Sequence, residues 1–324
     1  MDEMGSFIPH SNDPSVKVVP FLYAPNHKLD DKVVSYSLLW PVKHLHEGDL
    51  VTRDFLNGIP EEKQRSHRLS AWFKPSTELY QSAIDSYNKV MTDRSMQAIN
   101  IISEFYKVNG IKQREVAAKI GTYPEMLNVI TDYEFIQKYL KNERFRLVED
   151  LNKADIVWLV SAADEEDWKR YKDKYIFNQF PYESCVVIKH NLANTVQSVL
   201  GDTSFLMRTY DLEQELAVFI GDYQQRQREG KDNLWILKPP NMARSMDMII
   251  TDQLPLIIRA METGPKLAQK YIEKPVLRRG MKVDFRYMVL VKSVVPLTVY
   301  LYKHFWPRSA NVPYTTDRRT LANY

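Results

Sequence analysis

One cysteine, Cys185, stands in 324 residues. An internal disulfide framework is therefore excluded, and the chain fits a reducing compartment. Glycine is also scarce, at 10 residues, which limits how many loops can bring backbone N–H groups close to a phosphate. No apolar run approaches the ~18 residues of a membrane span. The opening Met1-Asp2-Glu3-Met4 has no basic segment followed by an apolar one, so no signal peptide is expected and the default location is the cytosol. Charge of one sign is missing as well. The 44 Lys and Arg nearly balance 41 Asp and Glu, leaving +3. That excludes a general nucleic-acid or membrane-surface signature. The histidines show no metal spacing beyond His44-x-His46, and no cysteine supports them, so a zinc site is not expected.

What is present is a globular composition, 44% hydrophobic, 12% aromatic and 26% charged. The length corresponds to about two domains. Residues 1–75 read as loops and short strands, with apolar runs at Val16–Tyr23, Tyr36–Trp40 and Leu50–Phe55 between Pro, Asn, Asp and Gly. From Glu78 to Lys107 the apolar residues recur at three and four, which predicts a long helix. Residues 76–130 form a helical connector on this reading, with no clear assignment for 108–130. Thr131-Asp132-Tyr133-Glu134 has the pattern of a capping box. Asp155–Val160 is a buried strand. Asp164-Glu165-Glu166-Asp167 opens a helix that closes on Lys169, Arg170 and Lys172, a polarity suited to the helix dipole. Asp211 caps a helix carrying Leu212, Leu216, Phe219, Ile220 and Tyr223 inward, and Gly230 stops it. A further helix covers Gln253–Met261. From Lys282 to Phe305 two strands read as an antiparallel hairpin across Ser293–Pro296. The class is α+β.

Basic residues recur at fixed places in the second half. Lys238 ends the apolar strand Trp235-Ile236-Leu237 and precedes two prolines, which fix the exit path and donate no N–H. A lysine there either reaches a phosphate or snorkels to water at a sheet edge. Gln269-Lys270-Tyr271-Ile272 lies on the strand before a proline turn, where an adenine can be read by backbone and polar groups against apolar walls. Lys282, Asp284 and Arg286 alternate with Val283, Phe285 and Tyr287 and so share one strand face. That face either holds a polyphosphate or pairs its own charges weakly.

Together these segments resemble the tubulin–tyrosine ligase-like family of ATP-grasp ligases. The family pattern W-I-x-K-P is matched by Trp235 to Pro239. Its Q-K-Y-I-x-x-P-x-L is matched by Gln269 to Leu277, and K-F-D-x-R by Lys282 to Arg286. The Y-x-Y strand leading to an arginine corresponds to Tyr300-Leu301-Tyr302 and Arg308. Upstream, Asn178 to Pro181, Lys189 to Leu192 and Met207 to Leu212 resemble further family signals, so the resemblance covers roughly 130–324. In one branch of the family a degenerate SET-like module stands in front. Here His10-Ser11-Asn12-Asp13-Pro14 resembles the SET motif H-S-C-x-P, and Glu47 to Phe55 its G-E-E-L-T-Y-D-Y.

The resemblance implies an incomplete ATP-grasp domain over 131–324, preceded by a remnant of a SET-like β module. By that resemblance Lys189 and Lys238 contact ATP phosphates, and Gln269, Lys270 and Ile272 frame the adenine. Lys282, Asp284, Arg286 and Arg308 surround the ribose, phosphates and amino-acid substrate, with Arg286 and Arg308 as the catalytic pair. The implied partners are tubulin or microtubules and other tubulin-modifying enzymes, with no nucleic acid and no membrane.

Three departures accompany the resemblance. The family's R-G-x-G-I reads Arg244-Ser245-Met246-Asp247-Met248, so two glycines become Ser and Asp, and Asp247 brings a negative charge towards a polyphosphate. The two carboxylates and asparagine that hold magnesium in the family have no counterpart before Tyr324, since Asp317 is the one acid after Asp284. The SET-like front has Asn12 in place of cysteine and no G-x-G cofactor loop upstream, so methyl transfer is not expected. The expectation is a weakly catalytic or non-catalytic member with weak or residual ATP binding, in a chain cut short at both ends. The alternatives are an active ligase in an incomplete chain, and an interaction fragment without a nucleotide pocket.

Overall fold

The computed structural model describes residues 7–25, 33–60, 64–109, 124–171, 174–180, 182–241, 246–294, 297–317 and 321. Of the positions singled out above, Met1 to Met4, residues 110–123, Lys172, Pro181, Arg244, Ser245, Pro296 and Tyr324 lie outside them.

In chain order the elements begin with β1 (Val16–Tyr23), β2 (Val34–Pro41), α1 (Arg65–Leu69) and α2 (Thr77–Asn109). Then come β3 (Leu127–Thr131), α3 (Glu134–Tyr139), β4 (Phe145–Leu147), β5 (Ile156–Trp158), α4 (Glu165–Tyr171) and β6 (Ile176–Phe177). Next are α5 (Ser184–Val187), α6 (Lys189–Leu200), β7 (Thr209–Asp211), α7 (Leu212–Arg228), β8 (Trp235–Lys238), β9 (Ile249–Thr251) and α8 (Leu254–Arg259). The last strands are β10 (Leu267–Lys270), β11 (Leu277–Arg278), β12 (Met281–Val294) and β13 (Leu297–Pro313). The chain divides into two compact units. The first joins residues 1–92 with 209–271 and 317–324, and the second holds 93–208 and 272–316.

The core of the first unit lies between α7 and one face of the four-stranded sheet β7-β10-β8-β9. Helix α7 starts where expected. The Asp211 carboxylate accepts from the Glu213 N–H at 3.0 Å, and Glu215 accepts from the Asp211 N–H at 3.0 Å. These reciprocal bonds satisfy orphan donors at the helix start. Leu212, Leu216, Phe219 and Ile220 are buried together, and Gly230 ends the segment at φ 64°. Phe219 meets Trp235 edge-on, with centroids 5.0 Å apart, and Tyr210 at 5.8 Å. Helix α2 crosses α7 at Gly221. A Cβ there would lie 2.1 Å from the Ala83 carbonyl oxygen and 2.7 Å from the Tyr87 Cβ. Only a glycine allows that approach.

The amino-terminal segment packs onto α7 within the same unit. Strands β1 and β2 pair antiparallel from Val16↔Pro41 to Tyr23↔Val34. The run Leu50–Phe55, expected as a strand, makes only isolated bridges at Arg53 with His10 and Val16. The charges that follow it are used inwardly instead. Buried Arg65 donates to the Leu56 and Ile59 carbonyls at 2.8 and 3.1 Å, to Asn12 Oδ1 at 3.1 Å, and to Asp54. Asn12 thus serves as an acceptor for a buried guanidinium. Arg68 pairs with Glu213 at 3.1 Å, and the Gln64 amide donates to the Gln214 carbonyl.

The second unit contains the parallel sheet β4-β3-β5-β6 and the antiparallel sheet β11-β12-β13. The capping box at Thr131 does not form. Thr131 Oγ1 accepts from the Tyr133 N–H, while Asp132 accepts from the Val160 and Ser161 N–H groups and the Ser161 hydroxyl. Asp132 ties the ends of β3 and β5, which competes with capping. Asp164 does cap α4, accepting from Glu166 and Asp167 N–H at 2.9 and 2.8 Å. The ribbon β12–β13 exposes apolar side chains on both of its faces, since sequence neighbours such as Val289 and Leu290, and Tyr300 and Leu301, are exposed alike, with Phe285 and Trp306. Among the described residues no helix is long and apolar enough to cross a membrane.

Two outcomes follow from this packing. Replacing Gly221 by Ala would raise the stability of an exposed helix by about 1 kcal/mol. Here it is expected to lower it by about 1–3 kcal/mol through overpacking, read by urea denaturation. Burial holds the His67 imidazole below its ordinary pKa of 6.5. The unfolded chain therefore takes up that proton first as pH falls, and the contribution present above the ordinary value is lost below it. Thermal melts between about pH 7.5 and 5.5 should fall more steeply for the wild type than for His67→Leu.

Candidate functional site

Strand register decides which predicted side chains meet. In the first unit Leu267 stands opposite Lys238, and Gln269 opposite both Ile236 and Thr209. Strand parity puts Lys238, Gln269 and Thr209 on one face, and Trp235, Leu237, Ala268 and Tyr210 on the other, core face. The Lys238 ammonium donates to Gln269 Oε1 at 2.7 Å, and Gln269 Nε2 donates to Thr209 Oγ1 at 2.9 Å. A polar relay therefore runs across β8, β10 and β7. Lys270 has the opposite parity and stands across from Trp235. It bonds to the Leu234 carbonyl at 2.9 Å and pairs with Asp232. Gln269 and Lys270 are thus neighbours in sequence whose side chains leave opposite faces.

The other predicted residues belong to the second unit. Asp284 and Arg308 are directly opposed across β12 and β13. They form a bidentate pair, Nε to Oδ1 and Nη2 to Oδ2, both at 2.7 Å. The hydrogen bond to Asp284 and its negative charge raise the Arg308 pKa above its ordinary value. Both side chains are more than half exposed, so the pair adds little to stability. Arg286, opposite Trp306, is exposed. The Lys282 ammonium lies 6.0 Å from the Tyr314 ring centroid. Tyr314 also donates to the Ile272 and Glu273 carbonyls, at 3.3 and 2.9 Å. Lys189 is the first residue of α6 and is exposed.

Sequence reasoning missed one residue in the first unit. Lys266, 1% exposed, gives its ammonium to Asp247 Oδ2 at 2.8 Å and Thr263 Oγ1 at 2.8 Å. Asp247 has the left-handed backbone expected of a glycine position, φ 53°. Its carboxylate, expected to face a polyphosphate, is bound to this lysine. The signal available in the sequence was a lysine directly before an otherwise buried strand.

The donor set separates ATP from magnesium. Lysines at sheet ends beside apolar strands are groups that fit a polyphosphate. A magnesium ion needs oxygen ligands held in near-octahedral geometry. Asp284 gives both oxygens to Arg308, and among the described residues no three His, Cys, Asp or Glu gather closely enough to hold a metal. The residues described here do not fit magnesium, and no step through it is derived.

The family profile "Tubulin-tyrosine ligase family" matches residues 169–324, and "Tubulin tyrosine ligase SET-like domain" matches residues 1–76. Tubulin--tyrosine ligase-like protein 12 of Mus musculus is 34% identical over 98% of this chain and 48% of its own length. The chain belongs to the tubulin–tyrosine ligase family. The Homo sapiens protein of the same name is 34% identical over 96% of this chain and 47% of its own length. Homo sapiens tubulin polyglutamylase TTLL7 is 27% identical over 53% of this chain and 20% of its own length. The chain spans about half the length of the curated relatives first matched. Both family matches fall on the segments whose motifs carried the resemblance, and the mixed α/β architecture is common to both units.

The relay makes a measurable claim about this family's sheet. Thr209→Val removes the acceptor for Gln269 at a buried position. It should cost about 1–3 kcal/mol in urea denaturation, whereas Thr209→Ser, which keeps the hydroxyl, should cost less.

Proposed function

We propose that this chain has an ATP-grasp scaffold that binds nucleotide weakly and ligates no amino acid. It acts on tubulin modification by binding tubulin or by competing with active ligases, in the cytosol. The observation that carries the reading is internal pairing. Lys238 is bound to Gln269, Lys270 to Asp232, and Arg308 to Asp284. A bound nucleotide or amino acid has to share or displace a partner at each. A charge-assisted hydrogen bond is worth roughly 1.5–3 kcal/mol, so competition for the half-buried lysines weakens binding substantially. The exposed Arg308 pair contributes less to that penalty.

The roles proposed for individual residues follow the family resemblance. Lys189 and Lys238 face phosphates, Gln269, Lys270 and Ile272 frame adenine, and Lys282, Asp284, Arg286 and Arg308 line the ribose and amino-acid end. Tubulin as partner is supported by what the relatives are, tubulin--tyrosine ligase-like proteins and a tubulin polyglutamylase. The second reading, a working ligase, is favoured by one observation: the matched relatives extend over about twice this length. The whole protein then supplies what these residues lack.

A ligation assay with tubulin, ATP, magnesium and labelled tyrosine or glutamate separates the two. For residues 1–324 and for the full-length protein, incorporation is expected at background, unchanged by Lys238→Met. Robust incorporation that disappears with Lys238→Met overturns the reading. Thermal melts with ATP give a second measure. Ligand at a hundredfold excess over its Kd adds about 2.7 kcal/mol, so only a small shift is expected at millimolar ATP.

A further inference from the structure

The buried lysine at the end of the first unit's sheet has no part in the reading above. Strand β8 ends at Lys238 opposite Leu267, and β9 begins at Ile249 opposite Leu237. Lys266 and Asp247 therefore extend beyond the same sheet end at which Lys238 stands. The Lys266 side chain is 1% exposed. Its ammonium is bound to Asp247 Oδ2 at 2.8 Å, Thr263 Oγ1 at 2.8 Å and the Gly264 carbonyl at 3.4 Å. Of these three partners only Asp247 carries charge, and a buried ammonium without a counterion is strongly disfavoured.

Asp247 pays for its position with a left-handed backbone, φ 53°. Glycine adopts that conformation freely, and among side-chain residues Asn and Asp tolerate it best. Aspartate is thus the residue that combines a tolerable backbone with a negative charge. Its side chain is 35% exposed, so the carboxylate stands between Lys266 and water. Thr263 Oγ1, which also donates to the Ala260 carbonyl at 3.0 Å, lies 3.5 Å from the same carboxylate oxygen and can turn its proton to an anion there.

We infer that Asp247 is a built-in anion that occupies an oxyanion site above Lys266. With the carboxylate in place the site is closed to anions from solution. Without it, Lys266 and Thr263 take a phosphate, either free inorganic phosphate or a phosphate of a nucleotide. This extends the proposed weak nucleotide binding to a specific cause, and its test uses a probe that does not depend on that reading.

The experiment is calorimetric titration of the full chain with inorganic phosphate, then with metal-free ATP. Wild type should show no saturation at millimolar phosphate. Asp247→Gly should bind about tenfold or more tighter than wild type, the gain of one charge-assisted contact. Adding Lys266→Met to Asp247→Gly should abolish that gain. ATP binding tighter than phosphate assigns the site to a nucleotide, and equal binding assigns it to free phosphate. Equal phosphate affinity in wild type and Asp247→Gly overturns the inference, as does a gain that survives Lys266→Met. If Asp247→Gly does not fold, Asp247→Asn keeps the shape and removes the charge. Its melting temperature should recover in phosphate more than in chloride at equal ionic strength, and the absence of selective recovery overturns the inference equally. Tubulin ligation by the wild type would sink the proposed function alone, whereas equal phosphate affinities sink this inference alone.

Discussion

Trp235 is the residue on which the first unit depends. It is fully buried, edge-on to Phe219 and 6.0 Å from Tyr210. Aromatic groups of this size dominate core energetics, and their placement on one sheet face leaves the strand no freedom of register. Once Trp235 and Leu237 point into the core, Ile236 and Lys238 must point away. The same step across β10 sends Ala268 inward and Gln269 outward. The polar relay from Lys238 to Thr209 is therefore a consequence of how the hydrophobic face is packed. A one-residue slip would bury Lys238 and expose Trp235.

The amino-terminal segment is bound to this arrangement by buried charge. Arg65 gathers Asn12, Asp54 and two backbone carbonyls, and Arg68 reaches Glu213 in the first turn of α7. Guanidinium groups suit such sites because several donors are fixed in one plane. The motif that resembles a SET cofactor signature is used here for packing. His10 Nδ1 accepts the Phe55 N–H at 3.2 Å, and its ring lies 5.3 Å from that of Phe55. The helix on which the sheet β7-β10-β8-β9 rests is thus also the helix on which the front segment rests.

Much of this was legible in the sequence. Strand β1, the long helix α2, the Asp211-capped helix and the β12–β13 hairpin follow directly from periodicity and capping residues, since each is decided by local pattern. The segment Leu50–Phe55 has the composition of a strand but lacks a partner beyond single bridges at Arg53. Pairing is a long-range property that composition does not carry. The box at Thr131 does not form because the helix begins only at Glu134, after a turn in which Thr131 Oγ1 accepts from the Tyr133 N–H and Asp132 is held by Val160 and Ser161, almost thirty positions on. For the candidate site, the divergence of Gln269 and Lys270 was implicit in strand parity, whereas the Lys238 and Gln269 pairing depends on β8 and β10 lying side by side. The Asp247 and Lys266 contact was not, because it joins two loop ends whose proximity exists only after β8, β9 and β10 align.

The β12–β13 ribbon places aromatic and aliphatic side chains in water beside Lys282, Arg286, Lys292 and Lys303. Like-charge repulsion between such cations opposes the approach of one ribbon to another. That repulsion is short-ranged once salt shortens the Debye length, and a long strand edge is a template for pairing. The same cations that resemble ligands for a phosphate thus stand where they oppose edge-to-edge pairing of two ribbons, an opposition that added salt weakens.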